Sequence, residues 1–513
     1  MDFQYRRAVI SDMLKRNAMR TPNKIAVVER KSDGKRREVT YQDLNQLANL
    51  IAAEWQRIGV KPKSTVAGIG KNGIELIATY FATLKLGCVF TMLNYSHTRS
   101  ELEYQIGHAK PKILTYLDST SALVDSLQNS LTESNGCSYG LDGLLNRLGD
   151  ATYPEPDVEI ADDCSALLVY TSGTESRPKG VELTHRNFMI ATTPAWSYEG
   201  YLRNSDRFLL LAPIHTMAGI GTVTNAISLG ATLVVLDSTD ANYVLEAIEA
   251  ERISNMSQTP TFYRRMVESE KFSSTDLTSL EQCHTYGGLN QVGVFEALVT
   301  KVPHLQWATY WGQSELSQLG CIGWFKSLSE IPGGDLRWIG LPVPHLEVRV
   351  VDESDNDAEV GEMIIRSPAI MSGYRNDEEK TKEVLRGGWL RTGDIVRQDA
   401  EKNLFFYDRK KDVIKTGGMN VSSLEVEQAI LEVSGVLEVA VVGVSDEVWS
   451  EAVVAFVVIK SNDKIDSAKI ISHCKSNLAG YKVPKVVHFR GSLPKDLQGK
   501  ILKRILRDEL NVP

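Results

Sequence analysis

The residues best suited to chemistry crowd into one short stretch, residues 170–180, which reads YTSGTESRPKG. Thr171, Ser172, Gly173 and Thr174 come first, and Lys179 follows five residues later. Successive backbone N–H groups and hydroxyls can surround a polyphosphate, and a lysine adds positive charge. The stretch therefore predicts a phosphate-binding loop.

The elements around this loop distinguish it from two better-known phosphate loops. An apolar run at 166–170 predicts a strand before the loop, residues 181–183 predict a second strand, and a helix is expected to begin only within 184–187. The G-x-x-x-x-G-K-[ST] loop and the G-x-G-x-x-G turn are both absent. An ordinary polar hairpin turn is the plain alternative, because Ser, Thr, Gly and Pro are common in turns.

Composition sets wide limits on the class of protein. The chain has 513 residues, which predicts two or more domains, and its 42% hydrophobic and 24% charged residues exclude disorder, collagen and coiled coil. A net charge of −8 gives no overall attraction to nucleic acid or to an anionic membrane. No apolar run is long enough for an integral membrane segment, and the first residues lack the apolar core of a signal peptide. Six scattered cysteines without a C-x-x-C pair favour a cytoplasmic protein without a zinc site.

Strand-like and helix-like runs alternate over most of the chain, which predicts α/β layers. Residues 208–211, 231–236 and 305–310 are examples of the strand-like runs. Residues 118–157 are polar and rich in Ser, Asn and Gly, and predict the loosest part of the chain, a surface excursion.

The sequence changes character near Asp408, after a short predicted strand at 404–407. A basic run follows, and then Ser422 and Glu425 have the spacing of a capping box that opens a helix. Further elements complete a small α+β domain: a helix with Val426, Ala429, Ile430 and Val433 on its apolar face, strands at 436–444 and 452–459, and a helix at 468–478 that ends at Gly480. We predict domains at 1–408 and 412–513, joined by a hinge at 409–411.

Nine segments in order make the chain resemble the adenylate-forming superfamily, which includes acyl- and aryl-CoA synthetases, nonribosomal peptide synthetase adenylation domains and luciferases. The segments are YTSGTESRPKGVELTH, LAPIHTMAG, TYGGLNQ, YWGQSE, WIGLPVP, GEMIIRSPAIMSGY, RTGD, DRKKDVIKTGGMNVSSLEVE and LPKDLQGKILKR. The similarity runs from about Thr40 to Arg504, and the chain looks most like an acyl- or aryl-CoA ligase. The resemblance implies a large multi-layer N-terminal α/β domain, which binds ATP and the acid, and a small C-terminal lid.

The resemblance also implies roles for residues of the nucleotide site. Glu315, together with Thr174, matches the magnesium site, and Trp311 occupies the usual tyrosine position, where the ring packs on adenine. Asp394 matches the aspartate that accepts hydrogen bonds from the ribose hydroxyls, and Arg409 matches a second contact to ribose or phosphate. The remaining matches are the phosphate-loop residues and the nucleotide-binding residues Gly288, Gly312 and Ser314.

The lid and the acid site are implied by the same matches. Lys500 matches the lid lysine that bridges the attacking carboxylate and the α-phosphate, and Lys411 matches the hinge. Gly417 and Gly418 match the tunnel for the pantetheine arm, and His215 matches a residue near the acyl carboxylate. Taken without the resemblance, Lys500 belongs to an ordinary solvated helix face and His215 is equally well a core histidine.

The resemblance specifies the reaction more closely than it specifies the substrate. Residues 212–219 lack the aspartate that pairs with an amino acid's ammonium group, which favours an uncharged fatty or aryl acid, with YWGQSE somewhat closer to fatty acyl-CoA synthetases. Coenzyme A is the expected acceptor, and a carrier-protein phosphopantetheine would fit the same chemistry. The competing functions are those of a kinase or ligase of another class, a luciferase-like oxidase and a non-catalytic acyl-binding protein. Glu175 and Ser176 stand where the family usually has Thr-Gly, which puts the ATP affinity in doubt.

Overall fold

A computed structural model of the chain describes residues 7–149, 151–171, 178–197, 203, 205–288, 290–446, 448–460, 465–495 and 501–510. The helices in these ranges are α1 Ser11–Arg20, α2 Tyr41–Arg57, α3 Ile74–Lys85, α4 Arg99–Ala109, α5 Ser121–Ser126, α6 Gln128–Glu133, α7 His185–Ser197, α8 Met217–Leu229, α9 Ala241–Glu251, α10 Pro260–Val267, α11 Val292–Lys301, α12 Glu378–Val384, α13 Ser423–Leu431, α14 Ser467–Asn477 and α15 Lys503–Leu510.

The strands in the same ranges are short and numerous. They are β1 Ile25–Arg30, β2 Arg36–Thr40, β3 Thr65–Ile69, β4 Val89–Leu93, β5 Ile113–Tyr116, β6 Cys137–Gly140, β7 Ser165–Thr171, β8 Lys179–Thr184, β9 Arg207–Leu210, β10 Thr232–Leu236, β11 Asn255–Gln258, β12 Gln282–Tyr286, β13 Gln306–Trp311, β14 Cys321–Phe325, β15 Trp338–Pro342, β16 Glu347–Val351, β17 Val360–Arg366, β18 Gly373–Tyr374, β19 Leu385–Arg386, β20 Trp389–Gln398, β21 Leu404–Arg409, β22 Ile414–Thr416, β23 Met419–Val421, β24 Val436–Asp446, β25 Ser450–Ile459 and β26 Val486–Phe489.

The strands form three sheets. A 14-stranded sheet has the order β16-β17-β20-β21-β15-β14-β13-β12-β11-β9-β10-β1-β2, with β19 paired to β20, and a 7-stranded sheet has the order β18-β8-β7-β4-β3-β5-β6. A 5-stranded sheet, β23-β22-β25-β24 with β26 on β25, belongs to the C-terminal part of the chain. The large sheet is parallel from β9 through β11 and β12 to β13 and then becomes antiparallel.

Burial explains why the central strands are continuous apolar runs. Every residue of β3, β4 and β10 is buried, as expected for strands covered by helices on both faces. The C-terminal part has its own apolar core, which includes Ile414, Val426, Ile430, Val441 and Val453. The structure is therefore a large N-terminal α/β domain with a small C-terminal α+β domain, as predicted.

The structure corrects two local predictions. Residues 118–157 contain α5, α6 and β6, and β6 extends the second sheet because buried Leu127, Leu131 and Leu141 anchor this region. The helix predicted at 468–478 ends at Asn477, and Gly480 instead begins a short 3-10 turn.

The capping box predicted at Ser422 is only half formed. The Ser422 side chain accepts a hydrogen bond from the Glu425 N–H and caps α13, whose predicted apolar face is buried. The Glu425 carboxylate instead accepts hydrogen bonds from Lys482 Nζ at 2.6 and 2.7 Å. A lysine outside the helix therefore takes the place of the backbone donor that a capping box requires.

Candidate active site

A cleft of about 1800 Å³ lies at the carboxyl ends of the parallel strands. Thr259 follows β11, Gly287 and Gly288 follow β12, and Gly312 follows β13, and all four line the cleft. The carboxyl edge of a parallel sheet is where α/β proteins bind their ligands. The topology therefore gathers residues that are far apart in sequence.

The two ends of the predicted phosphate loop are held at this cleft. Thr171 and Lys179 are partners across the β7–β8 ladder, and both line the cleft. Ser172, Gly173 and Thr174 lie outside the described residues. The flanking strands and the start of α7 at His185 agree with the sequence prediction.

A tyrosine links this loop to the predicted magnesium carboxylate. Lys179 Nζ lies 5.5 Å from the centre of the Tyr374 ring, and the Tyr374 hydroxyl donates a hydrogen bond of 2.9 Å to Glu315 Oε1. The Met371 N–H also donates to the Glu315 carbonyl at 2.8 Å. Tyr374 was not singled out from the sequence, although it ends the segment GEMIIRSPAIMSGY.

The turn after β13 places Ser314 and Glu315 in a short 3-10 helix facing the cleft. Gly312 precedes them, and a Cβ at this position would overlap the carbonyl oxygen of Gln318. Only glycine therefore permits the close approach of the two backbone segments at this turn.

Asp394 is fully buried behind Trp311 and Arg409. Its Oδ2 accepts a hydrogen bond of 2.8 Å from Trp311 Nε1, and Arg409 Nε lies 2.8 Å from its Oδ1. Asp394 and Arg409 are also register partners on β20 and β21. The sequence predicted all three residues at the nucleotide site but not the bond between the indole and the carboxylate.

His215 lies in the turn after β9 and lines the cleft. Its ring meets that of Tyr95 edge-on, with 6.5 Å between the centroids. Burial, with a smaller effect of His97, lowers the pKa of His215 to about 4. The imidazole is therefore neutral at physiological pH and can donate and accept one hydrogen bond.

Residues 14–375 match the model of the AMP-binding enzyme family, and residues 425–500 match the model of its C-terminal domain. The chain belongs to the AMP-binding enzyme family. It is an adenylate-forming enzyme of the acid–thiol ligase class.

Relatives of this AMP-binding enzyme cover nearly its whole length. The chain is 30% identical to the long-chain-fatty-acid–CoA ligase FadD13 of Mycobacterium tuberculosis and 30% identical to the indoleacetate–CoA ligase of Aromatoleum aromaticum, over 97% of both chains in each pair. The solved structure of the anthranilate CoA ligase AuaEII in complex with anthranoyl-AMP matches with a TM-score of 0.88 and 25% identity over 99% of both chains.

In this AMP-binding enzyme, the residues on both sides of Lys411, the predicted hinge residue, are held by hydrogen bonds. The Lys410 N–H donates to the Gly393 carbonyl at 2.9 Å, and Lys410 Nζ lies 2.9 Å from Glu362 Oε2. On the other side, Arg507 binds the Asp412 carboxylate and donates to the Lys411 carbonyl at 3.3 Å. Burial lowers the pKa of Lys411 despite the opposing effect of Asp412.

One face of the lid lines the cleft. Lys495, Ile501, Leu502 and Lys503 contribute to it, whereas Lys500 lies outside the described residues. Gly417 and Gly418 do not line the described part of the cleft, and the Gly417 N–H donates to the Trp449 carbonyl at 2.8 Å. The two glycines predicted for the pantetheine tunnel are therefore away from the described part of the cleft.

Two further contacts of the lid were not predicted. Arg264, on α10, donates to the carbonyls of Leu437 at 2.5 Å and Val436 at 3.5 Å, which joins the N-terminal domain to the lid. Within the lid, Lys503 Nζ lies 2.7 Å from Glu427 Oε1 and donates to Ser423 Oγ at 2.6 Å.

Asp408 completes this buried network. The Ser423 N–H and hydroxyl both donate to Asp408 Oδ2 at 2.6 Å. Burial raises the pKa of Asp408 and of Glu427. Burial also acts to lower the pKa of Lys503, but Glu427 and Asp408 outweigh it, and the pKa of Lys503 is raised.

Proposed function

We propose that this enzyme activates a carboxylic acid with ATP and then transfers the acyl group to coenzyme A. In the first step a carboxylate oxygen of the acid attacks the α-phosphorus, and pyrophosphate leaves with the bond's electron pair. In the second step a thiolate attacks the acyl carbonyl, and AMP leaves. The observation that carries this proposal is that Thr171, Lys179, Glu315 and Arg409 line one cleft, with Asp394 directly behind it.

The transition state of the first step concentrates negative charge on phosphate oxygens, so catalysis depends on positioned donors and cations. We propose that Lys179 and residues 171–174 bind the β- and γ-phosphates. Asp394 and Arg409 would bind the ribose, and Lys500 would bridge the acid and the α-phosphate. His215 would lie at the acid's carboxylate, and the adenine site would consist of Gly288, Trp311, Gly312 and Ser314.

Glu315 fits a magnesium ion bound together with nucleotide phosphates. Within the described ranges no three His, Cys, Asp or Glu side chains gather as a metal cluster. Magnesium needs only one or two carboxylates when phosphate oxygens supply the other ligands, and Tyr374 already orients the Glu315 carboxylate. Bound there with Thr174, the ion would neutralise charge on the phosphate oxygens.

We propose a fatty or aryl acid as the substrate. Two of the relatives act, by their names, on a long-chain fatty acid and on indoleacetate. A carrier protein would use the same thiol chemistry, and Gly417 and Gly418 are proposed for the pantetheine tunnel.

We also propose the division into residues 1–408, hinge 409–411 and 412–513, since the residues around Lys411 are anchored to opposite sides.

A reducing, cytoplasmic setting fits the six free cysteines. Within the described ranges, no helix combines the length and the apolar character needed to cross a membrane.

Product analysis tests the proposed reaction. We expect acid-dependent release of AMP and pyrophosphate from MgATP, with fast turnover only when coenzyme A is present. Lys500→Ala should lose acid-dependent pyrophosphate release, and Lys475→Ala, at an exposed lysine of α14 that does not line the described part of the cleft, is the control that should retain it. ADP as product, or no acid-dependent release with fatty and aryl acids, would contradict the proposal and favour another ATP-dependent class or a binding protein.

A further inference from the structure

A histidine outside the proposed chemistry contacts both ends of the predicted phosphate loop. His108 lies half-buried in the last turn of α4, and its Nδ1 is 2.9 Å from the hydroxyl of Tyr170. The imidazole also packs against Gly180, where a Cβ would lie 3.2 Å from His108 Cε1. Tyr170 and Gly180 are partners across the β7–β8 ladder. One ring therefore contacts both the strand that leads into the loop and the strand that leaves it.

The second ring nitrogen of His108 reaches a third segment of the chain. Nε2 lies 3.0 Å from the carbonyl oxygen of Arg375. Arg375 directly follows Tyr374, whose hydroxyl binds Glu315 and whose ring lies 5.5 Å from Lys179 Nζ. The contacts of His108 therefore continue to the lysine of the loop and to the carboxylate proposed for magnesium.

The segment at Arg375 is itself held in place by hydrogen bonds. The Arg375 N–H donates to the Gly180 carbonyl at 2.9 Å. Its guanidinium donates from Nε to Glu182 Oε2 at 2.9 Å and from Nη1 to Thr65 Oγ1 at 3.0 Å. His108 thus binds a carbonyl whose position is already fixed against β8 and β3.

The partners of His108 determine which nitrogen carries the proton. A carbonyl oxygen can only accept, so Nε2 donates to Arg375. Burial, as the largest cause, lowers the pKa of His108, against the opposing effects of its bond to the Arg375 backbone and of Asp377. The ring is therefore neutral at physiological pH, and Nδ1 accepts from the Tyr170 hydroxyl. Each nitrogen has a definite partner on a different segment.

Helix α4 gives His108 a firm support. The helix begins at a complete capping box between Thr98 and Glu101. Tyr104, one turn before His108, stacks on the imidazole with 5.9 Å between centroids and 26° between planes. The Tyr104 hydroxyl also donates to the Pro178 carbonyl at 3.5 Å. The helix therefore contacts the end of the loop at a second point.

We propose that His108 is a positioning residue for the ATP-dependent step, and that it holds the two strands so that Thr171 and Lys179 face the β- and γ-phosphates. Thr171 and Lys179 are each one residue from the Tyr170–Gly180 pair. His108 itself does not line the described part of the cleft. Phosphoryl transfer depends almost entirely on positioning and electrostatic stabilisation, so a displacement of about 1 Å can slow it by about 100-fold. The inference rests on the proposed function and adds a residue to it.

A comparison of two nucleotides tests the proposal with the whole enzyme. His108→Phe keeps a ring on Tyr104 but removes both hydrogen bonds. We expect the Kd of the magnesium complex of α,β-methylene-ATP, measured by titration calorimetry, to rise about tenfold. The Kd of AMP should change less than twofold, because AMP lacks the β- and γ-phosphates. General damage to the nucleotide site would weaken both ligands.

Two further variants separate the hydrogen bonds from the packing of the ring. His108→Gln retains an amide N–H for the Arg375 carbonyl, and its Kd for the analogue should be within about threefold of wild type. Tyr170→Phe removes the hydroxyl that donates to Nδ1, so its loss and that of His108→Phe should not add in the double variant.

A second histidine provides the matched control. His345 is also half-buried, and its Nδ1 lies 2.9 Å from Ser367 Oγ, but it does not line the described part of the cleft. His345→Phe should leave the Kd of both nucleotides unchanged.

The outcomes separate this inference from the proposed function. If His108→Phe binds both nucleotides as wild type does, or weakens both by the same factor, the inference is overturned, whereas acid-dependent pyrophosphate release by the wild type would leave the proposed function intact. Absence of release with every acid would overturn the proposed function, whatever the two Kd values. If His108→Phe does not fold by circular dichroism, Tyr170→Phe decides, because it should weaken the analogue and leave AMP binding unchanged.

Discussion

At the scale of single residues, Trp311 has two faces with different functions. Its ring lines the cleft where adenine is proposed to bind, and its N–H binds the buried Asp394 carboxylate at 2.8 Å. With Arg409 on the other oxygen, both oxygens of Asp394 have a fixed direction. We therefore propose Trp311 as a positioning residue for the ribose contact as well as part of the adenine site.

Trp311→Phe should separate these two functions. The phenyl ring keeps the packing surface but loses the hydrogen bond to a charged group, which contributes about 1.5–3 kcal/mol. We expect kcat/KM for ATP to fall about tenfold or more, with a smaller fall for 2′-deoxyATP or 3′-deoxyATP. The measurement is pyrophosphate release at saturating acid.

A matched control is available for this variant. Trp338 Nε1 donates to Asn403 Oδ1 at 3.1 Å, away from Asp394. Trp338→Phe should therefore leave the ratio of ATP to deoxyATP unchanged. If kcat/KM in Trp311→Phe fell by the same factor for ATP and for both deoxy analogues, Trp311 would not act through the ribose.

How far the sequence predicted the site depends on the kind of residue. Lys179, Glu315 and Asp394 were found because each stands in a short motif whose order the family shares. Tyr374 was missed because its significance comes from a contact between distant segments: it reaches Glu315 across 59 residues. A one-dimensional pattern contains no record of such contacts.

At the scale of elements, the proposed hinge would have its freedom of rotation at one residue, Lys411. Lys410 is tied to Gly393 and Glu362, while the Lys411 carbonyl and Asp412 are tied to Arg507 on α15. The backbone torsion angles that lie between the two sets of anchors are φ and ψ of Lys411. A turn of the lid there would leave these anchors in place but would break the hydrogen bonds from the Asp412 and Val413 N–H groups to the Arg409 carbonyl, and those from Ser423 to Asp408.

Lys411→Pro should impair one half-reaction more than the other, because proline fixes φ near −65° and restricts the preceding residue. We expect pyrophosphate release in a single turnover to be retained within a few-fold and thioester formation to fall at least tenfold. Rapid-quench assays of both steps provide the measurement, with Lys411→Ala as the control, since it loses the same charge but leaves the backbone free to rotate. If both steps in Lys411→Pro ran at their wild-type rates, Lys411 would not be the hinge residue.

The buried network of the lid makes a prediction about stability. Removing Lys503 leaves the Glu427 and Asp408 carboxylates buried without their cation, which typically costs about 3–5 kcal/mol. We expect Lys503→Met to increase amide hydrogen exchange in α13 and β24 while the N-terminal sheets remain protected.

An exposed ion pair of the same domain is the control. Arg490 and Glu509 are separated by 2.6 Å with exposed fractions of 42% and 41%, and such a pair contributes at most about 1 kcal/mol. Glu509→Gln should therefore leave exchange in α13 unchanged. Similar exchange in the two variants would mean that the network of Lys503 does not stabilise the lid.

At the scale of the whole molecule, buried histidines make stability depend on pH. Burial, as the largest cause, lowers the pKa of His185 from 6.5 to about 4, and its Nδ1 accepts a hydrogen bond from the Ile10 N–H at 3.3 Å. As pH falls below 6.5, the unfolded chain binds a proton that the folded state binds only near pH 4. Stability is therefore lost between these pH values, by about 2 kcal/mol at pH 5 for this one residue.

His185→Gln should reduce this pH dependence, because glutamine can still accept the Ile10 hydrogen bond and does not titrate. We expect the fall in Tm between pH 7.5 and pH 5 to be smaller than in wild type, by a few degrees. Differential scanning calorimetry at the two pH values measures it. An unchanged fall in Tm would show that His185 titrates equally in the folded and unfolded states.

The bond between Arg264 and the lid has a consequence for fidelity. Helix α10 begins at Pro260, which lines the cleft, and through Arg264 it also binds the carbonyls of Val436 and Leu437. In the proposed reaction, an ill-fitting acid that displaced this helix would also loosen the lid before the thiol arrives. Selection against a wrong acid would then act twice. It would act first when the acid binds, and again when the wrong adenylate either dissociates or reacts with the thiol in the second step.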